Sequence, residues 1–102
     1  MSADNGDVVE VEAWLAHLVP RFLANRLKDV VLLGAAVRTH DLEAIRVIGH
    51  NLRGGAGSYG FAALAALGAR LEAAAEAGSL DLAAQCADEL ERYARTVKVI
   101  YR

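Results

Sequence analysis

The chain holds one cysteine, one proline and few aromatic residues, 6% in all. Cys86 has no second thiol to pair with, so no internal disulfide staples the fold and a reducing compartment, the cytoplasm, is expected. Alternating β-branched runs are nearly absent, which argues against a sandwich or a barrel. No apolar run approaches the roughly 20 residues that span a bilayer, so no membrane association is expected. The opening residues, Met1 to Asp7, are polar and acidic, unlike a signal peptide. A net charge of −2 gives no support to nucleic-acid binding through a basic surface.

What is present is apolar and helix-forming. Residues of apolar type make up 55% of the 102, with alanine and leucine prominent. That length is one domain with a modest core. Residues 1–7 read as a disordered tail and residues 8–102 as one bundle. The start methionine and the polar leader favour a complete small protein. Val8 to His17 is expected to form a short first helix, with Val11, Trp14, Leu15 and Leu18 on its apolar side. Pro20 belongs in the first turn of a longer helix, where its missing N–H does no harm. That helix runs to about Arg38 and is expected to bury Phe22, Leu23, Leu27, Val30, Val31, Gly34 and Val37. Thr39-His40-Asp41 is a turn, with Asp41 or Thr39 as N-cap and Glu43 complementing the helix dipole.

The next helix ends near Tyr59, with Gly60 as its stop. Phe61 to Ala77 forms another, through Leu64, Leu67, Leu71, Ala74 and Ala75. Gly78 ends it and Ser79 caps the last helix, whose stripe is Leu82, Cys86, Leu90, Tyr93, Val97 and Ile100. Short turns make successive helices antiparallel neighbours. The expected fold is all-α: an up-down-up-down four-helix bundle with a short extra N-terminal helix. Cys86 reads as core packing, and Ala73-Ala74-Ala75 as close helix contact.

One stretch departs from this regularity: Ile48-Gly49-His50-Asn51-Leu52-Arg53-Gly54-Gly55-Ala56-Gly57-Ser58-Tyr59-Gly60-Phe61. A glycine inside a helix costs roughly 1 kcal/mol relative to alanine. Here the glycines follow a pattern. His50, Arg53, Gly54 and Gly57 fall at i, i+3, i+4 and i+7, on one helical face. Ile45, Ile48, Leu52, Ala56 and Tyr59 form a second stripe, roughly 140° away at about 100° per residue. One face is core. The other offers an imidazole, a guanidinium and almost no further bulk, which suits a histidine that a large partner must approach closely.

This stretch resembles the core motif of the histidine-containing phosphotransfer (HPt) domains, His-x-Leu-Lys-Gly followed by small residues and a Gly-aromatic or Gly-Ala step. It stands here as His50-Asn51-Leu52-Arg53-Gly54, then Gly55 to Phe61. Arginine replaces the family's usual lysine at Arg53, and glycine its frequent serine at Gly55. Leu64, Leu67 and the Leu71-Glu72 pair fall where the family's next helix carries leucines and a Leu-Glu step. The length also fits one such domain.

The resemblance implies a phosphorelay intermediate. His50 would accept a phosphoryl group on a ring nitrogen and exchange it with the aspartate of a response-regulator receiver domain, or receive it from a sensor kinase. Neutral imidazole is a capable nucleophile near pH 7. Arg53 one turn on, and Arg46 one turn before, are the expected phosphate contacts, because phosphoryl transfer depends on positioning and charge stabilisation. Gly54, Gly57 and Asn51 form the expected docking face. Mg²⁺ and its acidic pocket belong, by the same resemblance, to the receiver.

No Gly-rich phosphate loop with a following Lys-Ser/Thr occurs, so the chain is expected to have no ATP site and not to be an enzyme by itself. No cofactor is expected, and no metal, because His50 has no ligand-spaced partner on its helix. His17 and His40 read as structural or incidental. The expected state is a monomer. Two other readings stay open: an HPt-like module that docks receivers with little or no transfer, and a structural bundle that happens to carry His50.

Overall fold

The computed structural model describes residues 8–102; the expected disordered tail, 1–7, lies outside them. Four helices, α1 (Val19–Arg38), α2 (Leu42–Tyr59), α3 (Ala62–Ala77) and α4 (Leu80–Thr96), form the bundle. Several of their ends are written in the sequence. Pro20 sits in the first turn of α1. Asp41 caps α2, accepting from the Ala44 N–H at 3.0 Å, and Ser79 caps α4, accepting from Leu82 N–H at 3.2 Å. Thr39, the other cap candidate, instead donates its hydroxyl back to the Ala35 carbonyl.

Gly60 and Gly78 end α2 and α3 with φ of 86° and 71°, a left-handed conformation that glycine adopts without strain. Both make the paired bonds that close a helix end. Phe61 N–H donates to Ala56 O and Gly60 N–H to Gly57 O. Ser79 N–H donates to Ala74 O and Gly78 N–H to Ala75 O.

Helices adjacent in sequence pack side by side, and α1 closes the ring against α4. The core is built from Leu33 and Ala36 of α1, Ile45, Leu52 and Ala56 of α2, Leu64, Leu67 and Leu71 of α3, and Ala83, Cys86 and Leu90 of α4. Below it, Phe22 stacks on Phe61 with centroids 5.1 Å apart and tilts against Tyr59 at 4.8 Å. That aromatic cluster fixes α1 against the tight α2–α3 turn.

The structure corrects the two chain ends. Val8–Val11 is a strand, β1, and pairs in parallel with a second strand, β2, at Lys98–Tyr101. The expected first helix shrinks to a 3-10 helix at Ala13–Leu18, and the last helix stops at Thr96. Both strands are rich in β-branched and aromatic residues but only four long, with Glu10 in one and Lys98 in the other, too short for a period-2 signal to separate from helix. Pairing across the whole chain length decides them. Ala13 N–H donates to Arg102 O, Arg102 N–H donates to Val11 O, and the Arg102 guanidinium pairs with Glu10.

Five apolar assignments also change. Trp14 and Val31 are each 71% exposed, Leu18 is 36%, Leu82 is 48% and Ile100 51%. Trp14 belongs to the 3-10 helix, where its indole N–H donates to Glu12. Ile100 belongs to β2, whose alternation turns it outward. On α1 the buried position is Leu33 rather than Val31, a rotation of two residues. Leu23, Leu27, Val30, Gly34 and Val37 are half-buried at its rim.

Candidate functional site

His50 sits at the middle of α2, and its side chain is 61% exposed. The core stripe behind it is as the spacing demands: Ile45, Leu52 and Ala56 are buried, and Ile48 and Tyr59 half-buried. Arg53, Gly54 and Gly57 share the outward face with His50, and Asn51 is exposed at its flank. A Cβ built on Gly54, Gly55 or Gly57 would meet no atom within 4 Å. These glycines face open space and separate no helices. The surface beside the imidazole is bare backbone.

Glu72 of α3, 18% exposed, reaches across to this face. Its Oε2 accepts from His50 Nδ1–H at 3.1 Å, and its Oε1 lies 2.9 Å from Arg53 Nε. One carboxylate therefore holds both the imidazole and the guanidinium one turn on. The bond assigns the ring proton to Nδ1 and leaves the lone pair on Nε2. Arg53 remains about half exposed, with its terminal amino groups available to a further anion.

Arg46 is not joined to His50. It is forked onto Glu43 at 3.0 and 2.7 Å, one turn towards the helix start. That pairing pushes the Glu43 carboxyl below its ordinary range and holds the Arg46 guanidinium charged, with Glu72 and Glu76 adding attraction. Arg46 thus contributes positive potential near the face without touching the imidazole.

The two flanks of the face differ. Towards α3 it is charged, through Glu72, Arg53 and Arg46. Towards α1 it opens onto a shallow apolar groove lined by Leu32, Ala35, Ala44, Val47 and Ile48, with Asp41 and Glu43 at one end. Val47 lies one turn before His50. His17 and His40 are exposed elsewhere; His40 takes a left-handed φ of 57° in the α1–α2 turn. Cys86 is buried, and burial pushes its thiol pKa up.

Glu72 is the residue that reading the sequence for chemistry missed: it was visible only as part of a Leu-Glu step. Hairpin register could have found it. Counting outward from the tight turn at Gly60 and Phe61 places residue 72 opposite residues 49 and 50. Among the described residues no group of His, Cys, Asp and Glu side chains is gathered to hold a metal ion, and no helix is long and apolar enough to cross a membrane.

An exposed histidine at mid-helix, on a bare face of an antiparallel four-helix bundle, is the arrangement of a histidine phosphotransfer module. The model of one family, the Hpt domain, matches residues 17–98, most of the chain. The chain belongs to the Hpt domain family. Domains of this family are phosphotransfer intermediates of two-component signalling; they carry no ATP site of their own and interact with receiver domains and kinases. Comparison with curated proteins and with solved structures gives no match.

Proposed function

We propose that His50 is the phosphoacceptor of a phosphorelay, exchanging a phosphoryl group with the aspartate of a response-regulator receiver domain. The observation that carries this reading is the Glu72 bridge to a ring that is 61% exposed: Nδ1 is held as a donor to the carboxylate, which leaves Nε2 to carry the lone pair.

The step balances without moving a proton. The Nε2 lone pair attacks the phosphorus of the aspartyl phosphate. The bond from phosphorus to the aspartyl oxygen breaks, and the electrons return to the carboxylate. The new Nε2–P bond leaves a ring that keeps its Nδ1–H and carries positive charge, and Glu72 stabilises that charge at 3.1 Å. Reversal breaks Nε2–P and restores the neutral ring. Arg53 adds charge-assisted hydrogen bonds to the phosphoryl oxygens from its free amino groups, and Arg46 adds potential. Gly54 and Gly57 let the receiver approach to in-line distance, with Asn51 and the apolar groove beside Val47 at the rim. The module acts as a monomer in the cytoplasm, as a stoichiometric carrier.

The test is incubation with a receiver domain charged by acetyl phosphate. Wild type should acquire acid-labile, base-stable phosphate, and His50→Gln should acquire none. Labelling of His50→Gln at wild-type level would move the site to His17 or His40. Receiver binding without any labelling of wild type would assign the chain to docking alone, the reading favoured by Arg53 being already paired with Glu72. No binding would leave only a structural bundle.

A further inference from the structure

Two glycines do press helix against helix, and neither lies on the bare face. A Cβ on Gly68 of α3 would stand 2.5 Å from Arg53 N, 2.6 Å from Gly49 O and 2.9 Å from Arg53 Cα. A Cβ on Gly49 of α2 would stand 2.8 Å from Gly68 O and from Leu71 Cβ, and 3.0 Å from Glu72 N. Most of these are backbone atoms, which cannot swing aside as the end of a long side chain can. The two helices therefore meet backbone to backbone at a single crossing.

That crossing is threaded through the site. Gly49 immediately precedes His50. The Arg53 peptide nitrogen lies over Gly68. Glu72 is one helical turn beyond Gly68, and its own peptide nitrogen lies beside Gly49. A glutamate side chain has a fixed reach, and here one carboxylate must span to two groups on the facing helix at once, at 3.1 and 2.9 Å.

We infer that Gly49 and Gly68 are positioning residues of the phosphotransfer site: their crossing sets the α2–α3 spacing at which Glu72 can hold His50 Nδ1 and Arg53 together. This rests on the phosphotransfer reading of His50. A methyl group at Gly68 falls about 1 Å short of ordinary contact, so the helices must part by a comparable distance. The His50–Glu72 hydrogen bond, already 3.1 Å, then stretches past the range in which such a bond holds. Helix and core persist, but the ring loses the partner that fixes its tautomer.

The experiment uses the whole chain with Gly68→Ala, Glu72→Asp, Glu72→Ala and the Gly68→Ala/Glu72→Ala double variant. Circular dichroism reports the fold. Long-range ¹H–¹⁵N spectra of the His50 ring report the tautomer, and a receiver charged by acetyl phosphate reports the transfer rate. Wild type should show the Nδ1–H tautomer. Gly68→Ala should keep its helix content, lose the single tautomer and transfer about tenfold more slowly or worse, as expected for a reacting group displaced by about 1 Å. In the Glu72→Ala background Gly68→Ala should slow transfer no further, because both changes remove one interaction.

Glu72→Asp leaves the crossing intact and withdraws the carboxylate by one methylene, so it should reproduce the loss. Three results would each overturn the inference: Gly68→Ala with wild-type tautomer and rate, additive losses in the double variant, or Glu72→Asp with the wild-type tautomer. Should Gly68→Ala fail to fold, Glu72→Asp decides. Should wild type accept no phosphoryl group at all, the function proposed for His50 fails, while the ring spectra still decide the role of the crossing.

Discussion

Replacing Gly54 with leucine sets two expectations against each other. Gly54 lies inside α2, and a Cβ there meets nothing within 4 Å. The substitution introduces no overpacking. It removes the flexibility of a glycine from the middle of a helix, where leucine is favoured by up to about 1 kcal/mol. For a domain of this size that raises the melting temperature by about 4–8 °C at the upper limit. The same side chain stands one turn from His50, on the face proposed to dock a receiver. Docking affinity and transfer rate should therefore fall while stability rises. Thermal melting by circular dichroism and transfer from a charged receiver measure the two arms on one preparation. Unchanged transfer in a stabilised protein would refute the steric argument, since the bare face would then have no clearance to provide. A lowered melting temperature with a proportionate loss of binding would refute it too, placing Gly54 in helix packing.

Three further outcomes follow from particular contacts. Arg53→Ala should slow transfer about tenfold or more, as loss of one preorganised cation at a charged transition state does, whereas Arg53→Lys should stay close to wild type; equal rates in all three would remove Arg53 from the reaction. Ser79→Ala deletes the cap that accepts from Leu82 N–H, and should cost about 1 kcal/mol in urea unfolding, with transfer unaffected. Glu89 accepts two hydrogen bonds from Arg70, which holds its carboxyl below the ordinary value of 4.5. A depressed carboxyl stabilises the fold above its unfolded value and loses that contribution as pH falls through the folded one. Wild type should therefore lose more stability than Glu89→Gln when urea unfolding is compared at neutral pH and well below 4.5; parallel curves would show that the exposed pair contributes nothing.

The bundle was legible because its signals are local. Asp41, Gly60, Gly78 and Ser79 mark helix ends by chemistry that acts within four residues, and all four stand where the sequence puts them. The outward face of α2 follows from the same arithmetic of 3.6 residues per turn. What escaped is what only long-range pairing creates. β1 and β2 exist because Val8–Val11 meets Lys98–Tyr101, 90 positions apart in register. Neither strand carries enough alternation to declare itself alone. Val31 and Leu33 lie two positions apart on a helix that is apolar around most of its girth, so periodicity alone could not choose the buried one.

The glycines show the same division most clearly. Gly49, Gly54, Gly57 and Gly60 crowd one stretch of twelve residues, and composition treats them alike. Their partners separate them. Gly60 is left-handed and ends the helix. Gly54 and Gly57 face open space, where missing side chains expose a surface. Gly49 faces Gly68, where missing side chains let two backbones touch. The last pairing is invisible along α2 because half of it lies on α3, as does the carboxylate that grips His50. Folding the α2–α3 hairpin about Gly60 brings both halves into register, Gly49 beside Glu72 and Arg53 beside Gly68. The charged half of the site is thus a property of the hairpin, while the bare half is a property of the single helix that the motif already spells.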